Sequence, residues 1–221
     1  MTMVNSAPTS MVASSKLSAN DSSHFEDPKL FRSIAGTLQY LTLTRPDLTF
    51  AVSKICQYMH NPTVNHWKAL KRILRYIKGN MDQDLLFTAC TDFRLFAFSD
   101  ADWGADADDR KSVIRYCVNL GTNLIAWKSN KQRVVSRSST EAEFRAIAAA
   151  QSKVIWTQNL LHELHLSLTT ILTLYCDNQS ACLLTVNPIL HSKFKYFELD
   201  LHFVRDQVTH KKLFVTNIPF S

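Results

Sequence analysis

Residues 98–110 read FSDADWGADADDR. An apolar, strand-like run ends at Asp100, and Asp102, Asp106, Asp108 and Asp109 follow closely. A turn needs one Asp or Asn, not five. Two carboxylates about 4 Å apart repel by roughly 4 kcal/mol at an effective dielectric near 20. The stretch must either splay its charges into water or gather some of them around a cation. Strand alternation puts Asp100 and Asp102 on one face, so Asp102 can support Asp100. Asp106, Asp108 and Asp109 fall in a polar turn and are expected to be solvated.

Outward from this stretch the pattern is that of a sheet-forming domain. LFAFSD, SVIRYCVNLG and NLIAWKS predict strands near residues 94–100, 113–120 and 123–128. A long helix follows over residues 139–164. Then come a strand at ILTLYCDN (171–177), a short helix at QSACLLTV, a helix around DLHFVRDQV and a last strand in KLFVTNIP (212–218). This order predicts an α/β fold, a mixed five-stranded sheet with flanking helices. The GxGxxG and P-loop glycine motifs and the HExxH zinc motif are absent from the sequence.

Two glutamates open the long helix, STEAEFRAIAAAQSKVIWTQNLLHEL. Positions two apart lie on roughly opposite helix faces. From Glu143 the stripe runs through Ile147, Ala150, Val154, Leu161 and Leu164, a buried face. From Glu141 it runs through Arg145, Ala148, Ser152, Asn159 and Glu163, a mostly polar one. A capping box from Ser138 and an i,i+4 pair with Arg145 account for Glu141. Glu143 is either the third residue of a box starting at Thr140 or an acid at the core edge, which must be paired or bind metal. Asp177 ends an apolar strand as Asp100 does. Adjacent strand ends, with the first turn of a helix packed across them, can bring Asp100, Asp177 and Glu143 into one cluster. Hard oxygen ligands of this kind suit Mg²⁺ or Mn²⁺ and not zinc. The competing reading is that strand-end aspartates are ordinary turn residues.

Upstream, residues 61–80, NPTVNHWKALKRILRYIKGN, carry Lys68, Lys71, Arg72, Arg75 and Lys78 and no acid. Trp67, Leu70, Ile73, Leu74 and Ile77 keep helical spacing. Lys68, Lys71, Arg75 and Lys78 share the opposite face, and Gly79 suits the C-terminal cap. Further helices are expected from Asp27-Pro28 and from Arg45-Pro46-Asp47 to His60. Residues 25–90 thus read as a small helical module whose basic face is either a nucleic-acid-binding surface or an ordinary solvated one. Residues 1–24 are polar and Ser-rich and are expected to form a disordered tail, and residues 91–221 form the sheet domain. The net charge of +6 and the pI near 9.1 agree with a nucleic-acid partner without establishing one. No apolar run approaches the roughly 20 residues of a membrane span, and the N-terminus lacks the apolar core of a secretory signal. Five cysteines, at 56, 90, 117, 176 and 182, show no CxxC spacing. They are expected to be reduced thiols in an intracellular setting, cytoplasmic or nuclear, with Cys117 and Cys176 as plain core residues.

Four blocks in order, FSDADWGADADDRKS, NLIAWKSNKQRVVSRSSTEAEFRA, LYCDNQSA and LDLHFVRDQV, resemble the ribonuclease H domain of the Pol polyprotein of copia-type LTR retrotransposons. SIAGTLQYLTLTRPDLTFAVSKICQYMHNPT and HWKALKRILRYIKG resemble the segment that links reverse transcriptase to ribonuclease H in that polyprotein. The likeness covers about residues 16–221. It implies a ribonuclease H-like fold and cleavage of the RNA strand of an RNA–DNA hybrid by two Mg²⁺ or Mn²⁺ ions. The implied partners are the hybrid and the rest of a reverse transcriptase, with no membrane and no small-molecule cofactor. Block by block, the resemblance carries the family's catalytic and metal-binding acids onto Asp100, Glu143 and Asp177. Asp100 would bridge both ions, Glu143 would hold the one at the leaving group and Asp177 the one at the water.

Three departures bear on this. The family's fourth acid, in an Ala-Asp pair after the last strand, is not reached before NIPFS. A truncated domain with impaired cleavage is therefore expected, since Glu198 and Asp200 belong to another part of the fold. The Ser-Thr-Ser-Gly segment usual before YCV reads Ser112-Val113-Ile114-Arg115 here. No Tyr-x-Asp-Asp polymerase site occurs. The alternative function is a catalytically inactive transposon relic that binds nucleic acid. A nucleotide-sugar transferase read from DAD at 100–102 is weaker still, because no nucleotide-binding half precedes it.

Overall fold

Side-chain caps set the starts of two of the first three helices; the one between them has no such cap and ends at Cys56, short of the expected His60. α1 (Pro28–Leu41) is capped by Asp27, whose carboxylate accepts from Leu30 N at 2.9 Å, and Pro28 takes a first-turn position that needs no N–H. A 3₁₀ turn (Pro46–Leu48) leads into α2 (Thr49–Cys56). α3 (Val64–Gly79) opens on a reciprocal box between Thr63 and His66. The computed structural model describes residues 5–12, 17–89, 91, 93–166, 168, 170–187 and 197–218.

These residues form two units, Met1–Leu86 with Asp106–Arg110, and Phe87–Ala105 with Lys111–Ser221. In the first unit Phe31, Leu48, Ile55, Leu70 and Ile73 are buried in one core. The segment expected to be a disordered tail takes part in it over its described residues. Leu17 is buried there, Tyr58 Oη donates to Leu17 O at 2.7 Å, and His24 bridges to Thr63. Gly79 is the last residue of α3 and Asn80 is its cap. A Cβ on Gly79 would lie 2.8 Å from Ser6 Cβ, so the glycine makes room for a close approach and is not a left-handed cap.

The polar turn also differs from expectation. Asp106 is 1% exposed; its carboxylate accepts from Lys54 Nζ at 2.9 Å and from the backbone N–H groups of Asp108 and Asp109 at 3.0 and 3.3 Å. Burial pushes its pKa up, but Lys54 and the two N–H groups outweigh that and hold it well below the ordinary carboxylate range. Asp108 is exposed and accepts from Ala19 N at 3.0 Å.

The second unit is built on β1 (Leu95–Asp102), β2 (Val113–Leu120), β3 (Asn123–Lys131), α4 (Ser139–Glu163), β4 (Leu172–Cys176), α5 (Gln179–Val186), α6 (Glu198–Thr209) and β5 (Leu213–Asn217). The sheet order is β3-β2-β1-β4-β5. β1, β2 and β3 pair antiparallel, while β4 runs parallel to β1 and β5 parallel to β4. This is the mixed, ribonuclease H-like sheet that the sequence implied. Leu95, Ala97, Val118 and Leu174 share a core with Phe144, Ile147, Ala150 and Val154 of α4. Leu164, expected on that stripe, is exposed just beyond the helix. At the start of α4 the packing residues are small: Ala142 and Ala146 lie against Ala101. Small side chains on both surfaces let the first turn of α4 come close to the end of β1, which positions the candidate site.

Candidate active site

The parallel ladder sets two strand ends side by side. Ser99 registers with Cys176, so Asp100 and Asp177 each lie one residue beyond a paired position. The first turn of α4 adds Glu143, which is 6% exposed. Its Oε1 accepts from Ala101 N at 3.1 Å, and Cys176 Sγ donates to Oε2 at 3.7 Å. Of the two readings of Glu143, the core-edge acid is therefore the correct one. Ligand atoms of Glu143, Cys176 and Asp177 all lie within 4.8 Å of one another. Asp177 Oδ1 is buried without a hydrogen-bond partner. Burial, then the neighbouring Cys176, Asp177 and Asp100, push the Glu143 pKa up to about 9 against the opposing Ala101 N–H.

Asp100 stands outside that group. It lies opposite Arg115 in the β1–β2 register, and its Oδ2 is 3.2 Å from Arg115 Nη1. Arg115 pairs with Asp102 as well. Asp102 therefore does share the environment of Asp100, through an arginine held in common.

Glu141 makes the expected pair with Arg145 but only half of the expected capping box. Its N–H donates to Ser138 Oγ at 3.2 Å, and its Oε1 accepts from Arg145 Nη2 at 3.0 Å. Its other oxygen accepts from Arg137 N at 2.9 Å, so the glutamate is buried and fully used, not solvated. Arg145 also reaches Asp200 at 3.5 Å, and Glu198 pairs with His202. Among the described residues neither Asp200 nor Glu198 joins the Glu143 group.

No family model matches the chain. Over 210 residues, 95% of this chain and 14% of the relative, it is 45% identical to the retrovirus-related Pol polyprotein from transposon RE2 of Arabidopsis thaliana. Over 218 residues, 98% of this chain and 15% of the relative, it is 44% identical to the corresponding polyprotein from transposon RE1 of the same plant. The chain is homologous to a segment of the Pol polyproteins of copia-type transposons. It spans about one seventh of each of these two polyproteins, 14–15% of their length. A foamy viral protease-reverse transcriptase structure, in complex with double-stranded DNA, covers 87% of this chain and 32% of its own at a TM-score of 0.51 and 14% identity, a likeness of fold alone.

Two sequence signals in this Pol segment escaped reading. Cys176 is buried in the sheet core, as expected, and in addition presents its sulfur beside two carboxylates; its place one residue before a strand-end aspartate is the available clue. Lys153 lies 3.5 Å over the Trp156 ring, and both line a cavity of about 460 Å³ with Tyr116 and Lys128. Tyr116 and Lys128 are register partners on β2 and β3, a juxtaposition that becomes visible only once the strands are paired. On the basic helix, Lys68, Lys71 and Lys78 are exposed, whereas Arg75 is half-buried and its Nε donates to Asn5 O at 2.8 Å. Lys71 also lies over the Trp67 ring at 5.7 Å.

Proposed function

We propose that this Pol segment is a ribonuclease H module that cleaves the RNA strand of RNA–DNA hybrids, with Asp100, Glu143 and Asp177 holding two divalent ions. The observation that carries the reading is the unmet demand at one end of the sheet. Asp177 offers a buried oxygen with no donor, and Glu143 is forced toward its protonated form in the absence of a cation. With Asp100 drawn in beside Glu143 and Asp177, carboxylates from three separate elements would make a hard-oxygen donor set of the kind that suits Mg²⁺ or Mn²⁺. Bound there, such ions would activate a water and stabilise the leaving oxygen. The chain's own contribution is rigidity and proton control. Asp100 sits in the central strand, paired on both sides, and the Ala101 N–H fixes one oxygen of Glu143. The other oxygen of Glu143 can keep a proton until a cation displaces it. Lys68, Lys71, Arg75 and Lys78 would follow the phosphates of the hybrid, an interaction tolerant of sequence and sensitive to salt.

One observation favours the alternative, a module that binds hybrids without cutting them: Asp100 already has a cation in Arg115. A labelled hybrid assay with Mg²⁺ and Mn²⁺ separates the two. The nuclease reading expects scission of the RNA strand, abolished by Asp100→Asn, Glu143→Gln or Asp177→Asn with binding intact. Binding with no scission in either metal would leave the alternative. In the same assay, replacing the four basic residues by Glu should reduce the salt slope by roughly 0.7–0.9 for each phosphate no longer neutralised. An unchanged slope would make them an ordinary solvated face.

A further inference from the structure

We infer that Arg115 is a built-in competitor for the cation site, a guanidinium that must leave Asp100 before a divalent ion can use it. The inference rests on the metal reading above. The antiparallel register places Arg115 directly across from Asp100. Its planar fork reaches Asp100 Oδ2 at 3.2 Å and also pairs with Asp102, two residues along the same strand face. A guanidinium stays charged at every working pH, so it cannot be neutralised in place. A divalent ion at Asp100 would face that positive charge a few ångströms away. The pairing also accounts for Asp100 standing outside the group formed by Glu143, Cys176 and Asp177. Arg115 has room to yield: its side chain is 37% exposed, and those of Asp100 and Asp102 are 43% and 44% exposed. Cation loading at this site is therefore an exchange of Arg115 for metal.

Calorimetric titration of the full chain with Mn²⁺ tests this, using wild type, Arg115→Gln, Arg115→Thr, Arg115→Lys and the double variant Arg115→Gln with Asp100→Asn. Removing the charge should tighten Mn²⁺ binding about tenfold, the order expected for one unit charge near a half-exposed site. Lys should restore the wild-type affinity, and the gain should vanish in the double variant. Thermal melts supply a readout that a merely structural arginine would not give. In EDTA, Arg115→Gln should melt below wild type, because Asp100 and Asp102 lose their counter-charge. In saturating Mn²⁺ the order should reverse. Measurable but equal affinity in wild type and Arg115→Gln, or a lower melt in both conditions, overturns the inference and leaves the metal site standing. Absence of Mn²⁺ binding in every variant removes the metal site, and the inference with it.

Discussion

Asp100 and Asp106 lie six positions apart in one acidic stretch and meet opposite environments. Asp106 is buried, and every strong interaction it makes is satisfied: an ammonium on one oxygen and two backbone N–H groups on the other. Asp100 is half-exposed beside other acids, with a partly exposed arginine as its counter-charge. The first arrangement is what a carboxylate needs to stabilise a fold. The second shares one arginine between Asp100 and Asp102 at one end of the sheet, an incomplete compensation that suits a cation. Both are aspartates in a run of small and acidic residues, so residue type does not separate them. Satisfaction of the oxygens does.

The largest effect should come from Asp106→Ala. It strands Lys54, whose side chain is 12% exposed, without its carboxylate. Removing one member of a buried pair costs about 3–5 kcal/mol. Asp100→Asn, at a half-exposed pair, should cost under about 1 kcal/mol. Urea unfolding followed through Trp67 for the helical unit and through amide exchange for the sheet would measure both. Equal costs would erase the distinction between the two aspartates.

A second effect, of intermediate size, concerns pH, and its sign differs between the two regions. The folded pKa of Asp106 is depressed below its ordinary value of 3.8. Its contribution is therefore present above that pH and is lost as pH falls through the folded value. The Glu143 pKa is raised from 4.5 to about 9. Between those values the folded protein keeps a proton that the unfolded chain has released, so the stability of the sheet unit falls as pH rises. Glu143→Gln should flatten that slope in metal-free buffer. Mg²⁺ or Mn²⁺ should flatten it in wild type, by replacing the proton. Thermal melts across the window would check this, and parallel curves for wild type and Glu143→Gln would show that Glu143 is an ordinary acid.

The legibility of the sequence divides along the same line. Strand alternation and the apolar stripe of α4 predicted all five strands and the long helix, because burial acts through residue spacing that the sequence displays directly. β1 ends at Asp102 and β3 at Lys131, each a few residues beyond expectation. Ladder pairing extended them, and pairing is not a property of either strand alone. Glu143 was readable as one of two possibilities because helix faces are periodic. Its partner Cys176, and the approach of Arg115 to Asp100, depend on which strands become neighbours and in what register. Asp106 was misread for a related reason. A polar turn is solvated by default, and it takes a distant lysine from α2, added to the turn's own N–H groups, to make burial of this aspartate favourable. Local pattern therefore carried the fold and the candidate acids, while charge compensation, which is non-local, was hidden.

The smallest effect should be that of Asp108→Ala, the position that tests whether burial or partner number divides the stretch. Asp108 resembles Asp106 in accepting from a remote group: both of its oxygens lie within 3.1 Å of Ala19 N. It resembles Asp100 in being open to water. A hydrogen bond to a charged acceptor contributes about 1.5–3 kcal/mol where it is sheltered. In solvent, water takes over much of the role of either partner, and the loss should shrink to under about 1 kcal/mol. Asp108→Asn keeps an acceptor and should recover most of that. The Ala19 amide should exchange faster in Asp108→Ala, while amides of α2 keep their protection, since Lys54 and Asp106 are untouched. A cost for Asp108→Ala as large as that for Asp106→Ala would mean that having a distant partner is enough. A small cost confined to the Ala19 amide would mean that a carboxylate supports this fold only where water cannot reach it.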